Sequence, residues 1–172
     1  MSLLRGCLTT AVLGVTSLIL SGAAAADTVG PGSAQSSQVV VQQVEVHLTD
    51  HGPVVLLKAE QRAIPIFVDL TVASSIHAVL TGQHLKRPLS HDLMRTILES
   101  FGGKVTQTVI TMKDGIFYGA LTVAMPTMSK VFDSRSSDAI ALAIHFKAPI
   151  LVGRDLLESA GKATGEGKEL TL

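Results

Sequence analysis

The sequence predicts an α+β fold: a mixed β-sheet with helices, built in part from a duplicated β–α unit. Three observations carry this. Apolar residues alternate with polar ones over 39–48 and 104–112, the period of a half-buried strand. They recur at three- and four-residue spacing over 70–80 and 93–101, the period of a helix, and fill nearly every side of 137–146. Val68-Asp69 leading into the first helix is echoed by Phe132-Asp133 leading into the last of these, at an offset that also aligns Ile76 with Ile140.

The chain of 172 residues begins with an export pattern. Arg5 precedes an uncharged, mostly apolar run, 7–20, and small residues fill 21–26 before Asp27. That is the order of a secretory signal peptide. A cut after Ala26 leaves 146 of the 172 residues to reach the periplasm or the medium, with no membrane insertion remaining. The competing reading is an uncleaved anchor, but 6–26 reaches the ~20 apolar residues of a span only by counting the alanines and glycines near the cut. Cys7, the single Cys, departs with the peptide. The mature domain then has no disulfide, thiolate nucleophile or Cys metal ligand.

Charge narrows the partners. The balance of 14 basic and 14 acidic residues becomes 13 and 14 once Arg5 is removed. A general nucleic-acid binder has a domain pI above about 9, so any phosphate contact must come from a local patch. Five Phe, one Tyr and no Trp leave little for a base-stacking platform.

Residues 27–37, rich in Gly, Pro, Ser and Gln, form a flexible leader. The domain spans 38–160. Its first strand covers 38–48, with a bulge at Gln42-Gln43, and Asp50-His51-Gly52-Pro53 turns into strands at 54–58 and 63–68 joined through 59–62. A helix at 70–80 turns Leu70, Ala73, Ile76, Val79 and Leu80 inward and stops at Gly82. Ser90 caps the next helix, Asp92 sits in its first turn, and Leu93, Met94, Ile97, Leu98 and Phe101 form its buried face. Strand 104–112, with Val105, Val109 and Ile110 inward, meets strand 116–124 across an Asp114-Gly115 hairpin. After a loop come a short strand at 130–133, the buried helix 137–146, a strand at 149–152, a helix at 155–160, and a frayed tail, 161–172.

Two clusters group residue types with complementary chemistry: carboxylates that could hold a Mg²⁺ or Mn²⁺ ion, cations that could hold a phosphate, and a proton carrier. In the first, Asp133 and Asp138 flank a helix start as candidate metal ligands and catalytic groups, with Arg135 and Ser137 as phosphate donors. The structural alternative is that Ser134 or Ser136 caps the helix, Asp138 offsets its dipole and Arg135 pairs with Asp133. In the second, His84, Lys86, Arg87, His91 and Arg95 surround Asp92. His91 is the candidate proton carrier, Asp92 a catalytic carboxylate, and Lys86 and Arg87 the phosphate clamp. The alternative leaves His91 and Asp92 as solvated first-turn residues. His77 and His145 read as packed or interface residues, and His145 lies near a helix end that favours its positive form. No H-E-x-x-H, G-x-S-x-G, Walker loop or zinc spacing occurs.

Three blocks carry a resemblance: Ile64-Pro65-Ile66-Phe67-Val68 before a helix, Arg87-Pro88-Leu89-Ser90-His91-Asp92-Leu93, and Asp133-Ser134-Arg135-Ser136-Ser137-Asp138-Ala139-Ile140 followed by Ala148-Pro149-Ile150. Over about 39–160 the chain resembles the bifunctional nuclease family. The resemblance implies that family's fold and hydrolysis of DNA, RNA or both. It departs from the family pattern at Asp69, usually Gly, at Val72, usually Glu, and at Ser136, usually Pro. The reading is therefore an exported, metal-assisted nuclease. The alternative is a catalytically weak or inactive homo-oligomeric binding module. A homodimer suits both, because it would bury surplus apolar surface.

Overall fold

The computed structural model describes residues 37–163. The expected signal peptide, all of the leader but Ser37, and residues 164–172 of the tail lie outside them. The α+β class is as expected, but the strands divide between two sheets. β1 (Gln38–Val40), β5 (Lys104–Lys113), β6 (Ile116–Met125), β7 (Met128–Arg135) and β8 (Ile150–Gly153) form a mixed sheet in the order β1-β8-β5-β6-β7. Among the described residues its only parallel pair is β5 with β8. β2 (Gln43–Thr49), β3 (Gly52–Ala59), β4 (Arg62–Phe67) and β9 (Lys162–Ala163) form an antiparallel sheet in that order.

The division begins where a bulge was expected. The Val41 amide donates to Ile150 O in the first sheet and the Gln42 amide to Lys58 O in the second, both at 2.8 Å. One strand therefore becomes two because its neighbours lie far away in sequence. The real bulge is at Thr106, between Val105 and Gln107. It resets the alternation, so Thr108 and Ile110 are fully buried while the expected Val109 is only half-buried. At the far end, Arg62 and Ala63 pair with β9, which holds residues expected to fray.

Four helices, α1 (Leu70–Thr81), α2 (Ser90–Ser100), α3 (Ser136–Phe146) and α4 (Arg154–Ala160), complete the described chain. β2–β3–β4–α1 and β5–β6–β7–α3 are each an antiparallel three-stranded meander followed by a helix. The repeat expected from sequence is thus present as topology, but its alignment differs. β4 stops at Phe67, whereas β7 continues through Asp133 to Arg135 opposite Tyr118. The residue before α1 is Asp69 and the residue before α3 is Arg135, so Asp69 corresponds to Arg135 rather than Asp133.

α3 is the centre of the core, with Ala139, Ile140, Ala141 and Ala143 fully buried. It packs on β5, β6 and α1. Gly119 of β6 permits this approach, since a Cβ there would sit 2.5 Å from the Ala139 Cβ. Val55, Leu57, Ile64, Ile66, Val72 and Ile76 continue the same core beneath α1. The hairpin residues Asp114 and Gly115 both have positive φ, 53° and 78°, as an Asp-Gly turn requires.

Two helix starts differ from expectation. Ser90 and Ser136 are first helical residues rather than caps, and Ser134 Oγ donates to Gly119 O. Asp92 accepts the Leu89 amide at 2.8 Å, which is half of a capping box. The larger correction concerns α2. Its expected core face is mostly open: Leu93, Met94, Ile97 and Phe101 are 54%, 39%, 47% and 68% exposed, while Leu98 of that face packs half-buried against the core and His91 is the helix's only buried residue. Among the described residues, no helix is long and apolar enough to cross a membrane.

Candidate active site at three helix N-termini

Three helices begin at one cleft of about 440 Å³. α1 supplies Thr71 and Val72 with the preceding Asp69, α2 supplies Ser90, His91 and Met94, and α3 supplies Asp138 with the preceding Arg135. Each N-terminus presents unpaired amides and the positive end of a helix dipole. Asp69 satisfies one such amide by accepting from Val72 N at 2.9 Å.

Arg135 and Asp138 form the polar centre. Arg135 Nε donates to Asp138 Oδ2 at 2.7 Å and a terminal nitrogen donates to Oδ1 at 2.9 Å, a two-point grip. The guanidinium also lies 3.8 Å from Asp69 Oδ2, and its side chain is 67% exposed. His91 Nε2 lies 3.3 Å from Asp138 Oδ1. Burial alone would raise the Asp138 pKa, but the hydrogen bonds and charge of Arg135, with a smaller contribution from His91, hold it below the ordinary carboxylate value. Asp138 raises the Arg135 pKa in return.

His91 is 3% exposed, so it is not the solvated first-turn residue of the structural alternative. Behind it lies a buried polar chain that sequence reasoning missed. The His91 and His145 rings stack with centroids 6.2 Å apart. His145 Nε2 shares a hydrogen bond of 2.9 Å with Ser75 Oγ, and both residues are buried. His145 Nδ1 stands 3.7 Å from Asp92 Oδ1. Burial lowers the His145 pKa, so the positive form expected at this helix end is disfavoured. Nδ1 of both histidines is buried without a hydrogen-bond partner. Ser75 has the order of a Ser–His–Asp chain but is 1% exposed, which removes it from any substrate. Nothing in the spacing of a serine within α1 could have marked it.

The expected residues are thus only partly brought together. His91, Arg135 and Asp138 meet in the cleft. Asp92 faces a neighbouring hollow of about 240 Å³ with Arg87, His84 and Pro88. Lys86 and Arg87 are exposed on the α1–α2 connection. Ser137 is buried, and Asp133 is exposed on β7 opposite Ala120, neither lining the cleft. Arg135 pairs with Asp138 and Asp69 rather than with Asp133. Asp133 and Asp138 therefore do not form the expected metal pair. Among the described residues no three His, Cys, Asp or Glu side chains are arranged to hold an ion. Arg135 occupies the cation position between Asp69 and Asp138, so this side-chain arrangement does not fit a resident divalent metal.

Two antiparallel meanders, each ending in a helix that opens on a shared cleft, define an α+β domain with a polar cleft at its helix starts. A family model for the bifunctional nuclease domain matches residues 54–164. The chain belongs to that family. Uncharacterized proteins from two strains of Mycobacterium tuberculosis are each 29% identical over 133 residues, covering 72% of this chain and 76% of theirs. Bifunctional nuclease 2 of rice, Oryza sativa subsp. japonica, is 31% identical over 116 residues, covering 63% of this chain and 36% of its own.

Proposed function

We propose that the protein is an exported phosphodiester hydrolase that cuts DNA, RNA or both in the cleft shared by α1, α2 and α3. The observation that carries this reading is the convergence of three helix N-termini around Arg135, a setting that favours a phosphate group. Family membership points to the same chemistry. In this reading an incoming phosphate replaces Asp138 and Asp69 as the partner of the exposed Arg135. Lys86 and Arg87, just upstream of His91, extend the contact along the nucleic-acid backbone. Asp138, released from Arg135 and held by buried His91 through Nε2, takes the proton of the attacking water as the water oxygen bonds to phosphorus; the bond from phosphorus to the leaving oxygen breaks, and the proton passes to that oxygen.

The test is cleavage of single- and double-stranded DNA and RNA by the purified protein, with Mg²⁺, Mn²⁺ or EDTA, beside Asp138→Ala. The expected result is cutting that falls by about 10²-fold or more in the variant. Metal assistance is read from the EDTA arm. Equal cutting by a folded Asp138→Ala protein refutes the assignment. A second reading, a non-catalytic assembly module, is favoured by the uncovered apolar face of α2, and absence of cutting under every condition would select it.

A further inference from the structure

We infer that the exposed face of α2 is the contact of a symmetric homodimer, with the two copies of α2 packed antiparallel about a two-fold axis at Ile97. This does not rest on the hydrolytic reading. Leu93, Met94, Ile97 and Phe101 have the spacing of a core-facing helix stripe, yet they are exposed. The neighbouring edge continues the surface. The end of α2 lies against the β6–β7 turn, since Cβ atoms at Gly102 and Gly103 would meet Pro126 and Met125. Its beginning shares the cleft with Arg135, at the end of β7. α2 therefore runs beside β7 in the opposite direction. On β7, Met128 and Phe132, on the sheet face that carries α3, are 57% and 44% exposed. At these exposures the α2 and β7 apolar sets present roughly 600 Å² per copy, so a two-fold pair would bury about 1,200 Å², the lower end of a stable interface.

The pattern of α2 identifies the occupant as a second copy. In an antiparallel pair centred on Ile97, Leu93 faces Phe101 of the partner subunit, and Ile97 faces its own copy. Such self-complementarity is what an isologous contact requires. Arg95 and Glu99 lie on the opposite side of the helix, where Arg95 Nε donates to Glu99 at 2.8 Å, so the contact face itself carries no cation for nucleic acid. Met94 belongs to this face and also lines the cleft, so dimerisation places the partner at the cleft mouth.

Light scattering at micromolar concentration, with far-UV circular dichroism as the folding control, tests this. The parent is expected to run as a dimer. Ile97→Asp, which sets two carboxylates face to face, is expected to weaken it at least 100-fold and yield a folded monomer. In a Cys7→Ser background, Ile97→Cys is expected to cross-link to its own copy under mild oxidation, while Lys147→Cys does not. A monomeric parent, an undiminished Ile97→Asp dimer, or equal cross-linking at both positions overturns the inference. Mass is read independently of cleavage, so failure here leaves the hydrolytic reading standing, and the reverse.

Discussion

Ser75→Ala tests whether the buried chain behind the cleft is a structural connection or an incidental contact. Ser75 Oγ and His145 Nε2 are 2.9 Å apart, on α1 and α3, and the two residues are 1% and 3% exposed. Alanine removes one oxygen and leaves almost no cavity, so the effect is electrostatic. His145 Nδ1 already lacks a hydrogen-bond partner, so the variant leaves both ring nitrogens unpaired in the interior. A buried polar group left in that condition costs about 1–3 kcal/mol. For a domain of this size 2 kcal/mol corresponds to a fall in Tm of roughly 5–10 °C. Thermal and urea unfolding followed by circular dichroism give the number. The double variant Ser75→Ala with His145→Phe replaces both polar partners by apolar groups, and such a replacement is close to neutral. It should therefore recover at least about 1 kcal/mol relative to Ser75→Ala, a coupling that a double-mutant cycle isolates. A Ser75→Ala protein within about 0.5 kcal/mol of the parent, with no coupling to position 145, would refute the reasoning.

Acid should destabilise the protein in two stages. His145 has a folded pKa depressed by burial, so its contribution is complete above the unfolded value of about 6.5 and is lost as pH falls through the folded value. Asp138, also depressed in the fold, contributes above its unfolded value of about 3.9 and loses that contribution as pH falls through its own folded value. Tm measured from pH 8 to pH 3 should show the upper stage diminished in His145→Phe and the lower in Asp138→Asn; unchanged profiles contradict the assignment. Gly119→Ala should destabilise by about 1–3 kcal/mol, because its Cβ would lie 2.5 Å from Ala139 Cβ and 3.1 Å from Ser134 Oγ. The urea midpoint reads this, and Ala139→Gly added to it should recover part of the loss.

Elements whose signal is local were legible in the sequence. α3 is apolar on nearly every side and is buried. Asp114-Gly115 makes the hairpin, and the α1 stripe faces the core at Ala73 and Ile76, although Leu70 and Leu80 at its two ends, expected inward, are exposed. What failed depends on partners remote in sequence. Nothing near Gln42 reveals that its two sides hydrogen-bond to different sheets. Periodicity identifies an apolar face on α2 but not whether its own core covers that face. The extension of β7 to Arg135 also moves the start of α3, which separates Asp133 from the cleft and brings Arg135 into it. His91, Arg135 and Asp138 were recognisable as residue types suited to phosphate chemistry. Their joining with Asp69 needed the packing of three helices.

The topological repeat gives the departure at Val72 a structural meaning. Leu70 begins α1 and Ser136 begins α3, so Val72 and Asp138 are both the third residue of their helices. A carboxylate at that position faces unpaired amides and the dipole's positive end. In this chain α3 keeps one there, whereas α1 has a buried valine and carries its carboxylate at the cap, on Asp69. The family's usual Glu at position 72 would set two first-turn carboxylates across the cleft. Here the second has moved back by one turn to the cap. From there Asp69 engages Arg135 with one oxygen and the Val72 amide with the other. The chain thus retains two carboxylates at the cleft, yet commits both to Arg135. On the hydrolytic reading proposed above, that arrangement favours exchange of the guanidinium onto a phosphate over capture of a resident cation, which is why the EDTA arm and the Asp138→Ala arm of the cleavage assay carry separate information.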